Sequence, residues 1–263
     1  MSQELPLSGR HALVCGASAG IGQAAAMALA VQGARISVLA RRAERLESML
    51  PTLLELGAES AQSLVADLDN REALSASIEA LLAEHGPVHV LINNTGGPAG
   101  GPLLQATEEA FLNAFSRHVL AAHRLVQLLL PGMTADGFGR IINVISTSVR
   151  EPIPNLGVSN TIRGAMASWS KSLSRELPPG VTINNVLPGY TNTERLGALQ
   201  KGAAARTGKT DDQIMDGWLA QVPEGRLGLP EEVGAVIAFL ASPGGSFIRG
   251  VSLPVDGGRL RSL

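Results

Sequence analysis

Seven short runs of apolar residues recur along this chain: HALVCG, RISVLA, QSLVAD, VHVLINN, GRIINVIS, VTINNVLPG and VSLPVDGG, separated by longer alanine-rich stretches. Strand-like runs that alternate with helix-length segments leave few architectures open, because parallel strands need a helical crossover between them. The runs do not alternate in polarity and read as apolar on both faces, as expected of strands covered by helices on both sides. The chain therefore reads as an α/β, doubly wound, Rossmann-type fold with a seven-stranded parallel sheet and helices on both faces. Helices are expected at 21–32, 43–56, 71–85, 111–134, 160–177 and 231–241. Residues 192–228 break the rhythm with a polar, glycine-bearing segment around a mixed stretch at 213–219. They follow the carboxyl end of a strand, so they read as a small helical lid on a single domain spanning 1–263.

Composition narrows the function. The 263 residues are 45% hydrophobic and 17% charged with net charge -2, which fits a packed core and offers no basic surface for nucleic acid. No run approaches the roughly 18 apolar residues of a membrane helix, and the opening MSQELPLSGR carries acid and proline where a secretion signal carries base. A cytoplasmic location without membrane contact is expected. A lone Cys15 excludes an internal disulfide and a thiolate cluster. Of the histidines only His85 and His89 have helical i, i+4 spacing, and Gly86-Pro87 interrupts it, so no metal site is expected. A small-molecule substrate remains.

The first strand runs into Gly16-Ala17-Ser18-Ala19-Gly20-Ile21-Gly22 and straight on into a helix. Glycines here permit a tight turn and let backbone approach a pyrophosphate, while the helix start offers free N–H groups and the positive end of its dipole. At the end of the second strand, an acid would accept from the adenine-ribose hydroxyls and repel a phosphate. This chain has Ala40 followed by Arg41 and Arg42, and guanidinium groups bind phosphate strongly, so NADP (as NADPH) is expected in preference to NAD.

The three-residue gap between Gly16 and Gly20 resembles the short-chain dehydrogenase/reductase pattern T-G-x-x-x-G-x-G, with Cys15 in place of threonine. Asn93-Asn94-Thr95-Gly96 is similar to the family's N-N-A-G, and Val255-Asp256-Gly257-Gly258 to its V-D-G-G. The resemblance spans nearly the whole chain. It implies cofactor contacts at Gly16, Ser18, Gly20, Ile21 and Gly22, at Asp67 and Leu68 beside the adenine, at Asn94 and Gly96, and at Pro188, Gly189, Thr191 and Thr193 around the nicotinamide.

The family's catalytic set is a serine, a Tyr-x-x-x-Lys pair and an asparagine. Anchored on Ser172-Leu173-Ser174-Arg175-Glu176-Leu177, the serine position is Ser146, the tyrosine position Ser159, the lysine position Arg163 and the asparagine position His118. The only tyrosine is Tyr190, and the lysines are Lys171, Lys201 and Lys209, so no Tyr-x-x-x-Lys exists. Hydride addition to a carbonyl builds an alkoxide that must be stabilised and protonated; Ser159 is a weak acid and Arg163 holds its proton. Arg163 reads as a donor to the nicotinamide-ribose diol or as a surface arginine. His118, with an ordinary pKa near 6.5, reads as proton donor or as a hydrogen-bonded core residue. Tyr190 presents its phenol to the pocket or packs under the lid.

The overall resemblance is to 3-oxoacyl-acyl-carrier-protein reductases, in an atypical subgroup. It implies an NADP-dependent oxidoreductase acting on a carbonyl or acyl substrate; the alternative is a dinucleotide-binding sensor or scaffold. Leu196, Leu199, Ile214, Met215, Trp218 and Leu219 give the lid an apolar side. A homodimer or homotetramer is expected, because Val119, Leu120, Leu125, Leu128, Leu129, Met166, Trp169 and Leu173 exceed what one sheet face needs.

Overall fold

The computed structural model describes residues 5–262. Seven parallel strands lie in the order β3-β2-β1-β4-β5-β6-β7. They are β1 (His11–Cys15), β2 (Arg35–Ala40), β3 (Ser60–Val65), β4 (Val90–Asn93), β5 (Gly139–Val144), β6 (Val181–Pro188) and β7 (Ser252–Val255). Helices α1 (Gly20–Val31), α2 (Ala43–Glu55) and α3 (Arg71–His85) connect the first four strands. Then follow α4 (Glu108–Phe115), a π-helical turn (Ser116–Leu120), α5 (Ala121–Ala135), α6 (Gly157–Glu176), α7 (Glu194–Thr207), α8 (Asp211–Leu219) and α9 (Pro230–Ala241).

The uninterrupted apolar runs have a direct structural outcome. In β1, Ala12 and Val14 face a core layer shared with α1, α2 and α9, while Leu13 and Cys15 face a second layer shared with α3 and α5. Side chains alternate between faces, so a strand buried on both sides is largely apolar on both, and its buried polar residues find partners, as Asn143 does with Asn93 and Asn185 on the neighbouring strands. The edge strands are the exceptions: β3 begins two residues before the expected run, at Ser60, and its ends are exposed, and β7 is only partly buried, with Leu253 exposed. Glycine lets helices approach each other: a methyl group on Gly234 of α9 would sit 2.8 Å from the Ala24 carbonyl oxygen of α1.

Three expectations need correction. The expected helix 111–134 begins three residues earlier, because Thr107 caps it by accepting from the Ala110 amide and Glu108 and Glu109 favour its dipole. It also contains the π-helical turn, which the regular periodicity of the sequence conceals. The segment read as a helical lid around the stretch 213–219 holds a further helix before it. Thr193 caps α7 and Gly208, at φ +69°, ends it; Thr210 and Gln213 form a reciprocal capping box that starts α8. The apolar surplus assigned to self-association is spent largely inside the chain: Val119, Leu125, Leu129 and Met166 are buried in its own core, and the exposed apolar residues of that region are Leu112, Phe115 and Leu120. No helix among the described residues is long and apolar enough to cross a membrane.

Candidate active site

Strand order reverses between β1 and β4. The chain builds β2 and β3 to one side and β5 to β7 to the other, so the connections part and leave a crevice at the strands' carboxyl ends. A cleft of about 1100 Å³ occupies that crevice.

Its floor is the turn between β1 and α1. Gly16 (φ +61°) and Gly20 (φ +57°) adopt the left-handed region. A methyl group on Gly16 would lie 2.5 Å from the Asn94 carbonyl oxygen, and one on Gly22 2.3 Å from the Gly16 carbonyl oxygen, so the turn closes only with glycine. The Asn94 side chain donates to the carbonyls of Cys15 and Gly16, each at 3.3 Å, tying the β4 loop to the turn. Ala19 provides no side-chain cap, so the first amides of α1 face the cleft without a side-chain acceptor. Beneath the turn, burial pushes the Cys15 thiol up to about 12, which leaves it unreactive.

Beside the turn, β2 ends at a buried Ala40, and Arg42 Nη2 donates to Ser18 Oγ at 2.9 Å. Arg41 lies 3.8 Å from Asp67, and Arg42 3.5 Å from Glu194. Both pairs are exposed, so solvent screens them and leaves the guanidinium groups available to a stronger anion. The first-turn amides, the close backbone and these arginines fit a dinucleotide with an additional phosphate on its ribose. Leu68, Gly96, Pro188, Gly189, Thr191 and Thr193 line the same cleft as Gly16, Ser18, Gly20, Ile21, Asp67 and Asn94. Gly22 packs behind the turn. Thr193 also caps α7, and its methyl carbon would lie 3.1 Å from a methyl group on Gly20, so the lid's first helix starts against the glycine turn. At the neck of the lid the Asn192 amide donates to Gly228 and the Gly228 amide to Tyr190, both at 2.9 Å.

At the far end of the cleft are Ser146, Ser159, Arg163 and Tyr190. Ser146 follows β5 and its hydroxyl oxygen accepts from the Ser148 amide at 3.0 Å, which leaves the hydroxyl proton to donate. Arg163 is 8% exposed. It donates to the Val144 carbonyl at 2.8 Å and the Thr95 carbonyl at 3.4 Å, bridging the ends of β5 and β4, so the surface-arginine reading is excluded. Burial, and then the charge of Arg195, lower its pKa to about 10, and it stays charged at neutral pH.

His118 does not match the proton-donor reading. The π-helical turn directs it at Thr95, whose hydroxyl lies 2.6 Å from Nδ1. Burial, followed by the charges of Arg163 and Arg117, depresses its pKa to about 2. The imidazole is therefore neutral across the physiological range. Tyr190 borders the cleft but is also packed: its ring stacks on Trp218 of α8 at 5.1 Å, and Arg259 lies 4.9 Å above it.

Sequence reasoning missed Arg195, Arg259 and the role of Thr95. Arg195 carried a signal, because a cation in the first turn of a helix opposes the dipole and calls for another reason to be there. Thr95 stood in view as the departure from N-N-A-G; its partner His118 is remote in sequence. Arg259 sits in a tail whose position depends on the Asp256 carboxylate accepting from the Gly258 and Leu260 amides.

Residues 16–259 match the family model described as enoyl-(acyl carrier protein) reductase. The chain belongs to the short-chain dehydrogenase/reductase family of NAD(P)-dependent oxidoreductases. It is 34% identical to the 3-oxoacyl-[acyl-carrier-protein] reductase FabG of Vibrio cholerae, over 96% of this chain and 98% of that protein. Among solved structures it is similar to L-sorbose reductase from Gluconobacter frateurii complexed with NADPH and L-sorbose, with TM-score 0.91, 28% identity and coverage of 99% and 100%. It is equally similar to YwfH, an NADPH-dependent reductase involved in bacilysin biosynthesis, with TM-score 0.90, 28% identity and coverage of 97% and 99%.

Proposed function

We propose that this chain is an NADPH-dependent carbonyl reductase of 3-oxoacyl-reductase type. The observation that carries the reading is the end of β2, where Ala40 offers no carboxylate to a ribose diol and Arg42 is held over the glycine turn by Ser18. The solved NADPH-dependent reductases of like fold support it.

When bound, the nicotinamide supplies the hydride. The chain's part is to hold the carbonyl and meet the charge that develops on its oxygen. Ser146 donates its hydroxyl proton to that oxygen, and Arg163 contributes its positive charge from α6. Water entering the cleft delivers the proton. That reading is supported by the neutral His118, by Arg163, which stays charged at neutral pH, and by the Tyr190 ring held between Trp218 and Arg259.

Self-association belongs to the same reading, supported by the exposed Leu112, Phe115 and Leu120 along α4 and the π-helical turn. Thermal unfolding with NADPH and NADH, followed by NADPH oxidation over a panel of carbonyl compounds, tests the proposal. A ligand that binds only the folded state raises the melting temperature. NADPH is expected to give the larger shift and at least one carbonyl to be reduced. NADPH binding with every carbonyl inert would favour the cofactor sensor.

A further inference from the structure

The substrate end of the cleft carries cations without matching anions. Arg163 and Arg195 make no ion pair among the described residues. Arg195 reaches from the first turn of α7 across the cleft to the Pro98 carbonyl, facing Arg163 from the opposite wall. Both border one spot: a methyl group on Gly97 would lie 3.5 Å from Arg195 Nη2, 3.6 Å from Arg163 Nη2 and 3.9 Å from Ser159 Oγ. Burial lowers the pKa of both guanidinium groups, and no carboxylate raises either.

The acids nearby are committed elsewhere. Glu194 pairs with Arg45 at 2.7 Å, Asp67 with Arg41, and Glu151 accepts from the Arg261 and Ser262 amides. Two like charges on one spot, one of them buried, disfavour the empty site and favour an anion that bridges them. Arg163 spends two of its five N–H donors on backbone carbonyls, and the others have no partner among the described residues.

We propose that Arg163, Arg195 and Ser159 form a carboxylate receptor, so that the compound reduced is an oxo acid bound through its carboxylate. The inference rests on the NADPH-dependent carbonyl reductase reading and, within it, names a free oxo acid and not an acyl thioester as the substrate. A guanidinium fork matches the two oxygens of a carboxylate in one plane, and Ser159 adds a neutral donor. Cofactor phosphates do not compete for this spot, because the glycine turn and Arg41 and Arg42 occupy the other end of the cleft.

The experiment has two arms, both on protein saturated with cofactor. In the kinetic arm, 2-oxobutanoate and 3-oxobutanoate are compared with their methyl esters under NADPH. The better acid is expected to exceed its ester about tenfold or more in kcat/KM. Arg195→Gln brings that ratio to within about twofold of one, and Arg195→Lys restores part of it. In the binding arm, butanoate raises the melting temperature of the NADP-bound protein, while butanamide and equimolar inorganic phosphate do not, and Arg195→Gln abolishes the rise. Absence of any NADPH shift would overturn the reductase reading itself. An NADPH shift with ester matching acid, or with butanoate no better than butanamide when neither acid nor ester turns over, would overturn the carboxylate receptor and leave the reductase standing.

Discussion

Ser146 holds its oxygen on the Ser148 amide and keeps its proton for the cleft, whereas Ser159 has no hydrogen-bond partner among the described residues to orient it. An oriented donor contributes more to a developing charge than a free rotor. Ser146→Ala is therefore expected to lower kcat about a hundredfold or more, and Ser159→Ala considerably less, in NADPH-oxidation assays. Equal losses would contradict the assignment. Tyr190→Phe is expected to change kcat no more than about threefold, since the removed hydroxyl delivers no proton in this scheme. His118, with its pKa near 2, adds no limb between pH 6 and 7 to the pH-rate profile, although its ordinary value of 6.5 would place one there.

At the scale of the element, the β1-α1 turn and the end of β2 divide the cofactor between them. Gly22 lies against the Gly16 carbonyl with no room for a methyl group, so Gly22→Ala must open the turn that receives the pyrophosphate. It is expected to cost about 1–3 kcal/mol of stability and to abolish the NADPH-induced rise in melting temperature. The arginines following β2 are expected to set which cofactor is preferred and not whether one binds. Arg41→Ala and Arg42→Ala are each expected to narrow an NADPH preference of about tenfold, and the double variant to erase it, as read by separate titrations with NADPH and NADH. A double variant that keeps the full preference would assign the discrimination to other residues. The lid draws on the same cleft: Thr193 caps α7 beside Gly20, and Trp218 of α8 stacks on Tyr190, so its two helices bracket the two ends of the site.

Across the whole molecule, buried histidines set the response to acid. Burial, then the charge of Arg35, lowers His11 to about 4, and His118 stands at about 2, both below their ordinary 6.5. Above pH 6.5 folded and unfolded chains are alike neutral at these rings. Below it the unfolded chain takes up protons that the folded chain refuses, so stability falls as pH drops from about 6.5 through 4. Melting temperature is expected to decline steadily between pH 7 and pH 4.5, and a flat profile would contradict the burial of these rings. Leu112, Phe115 and Leu120 are likewise left exposed by the fold as a whole. Light scattering at micromolar concentration is expected to show a dimer or larger, and Leu112→Glu with Leu120→Glu to shift it toward monomer.

Local chemistry wrote much of this protein into its sequence. Strands buried on both faces must be largely apolar on each, and a turn without room for Cβ must be glycine; Gly16, Gly20 and Gly22 were legible for that reason, and the arginines after Ala40 because guanidinium groups bind phosphate. The absence of Tyr-x-x-x-Lys was legible because it is a statement about residue types alone. Tertiary structure decided what depends on neighbours remote in the chain. It turned His118 from a possible acid into a neutral partner of Thr95, because desolvation and two arginines act on it through space. It took the leucines of α5 into the chain's own core. It brought Arg195 from α7 to face Arg163 from α6, since the charge and burial of a side chain are set by the fold around it and not by its place in the sequence.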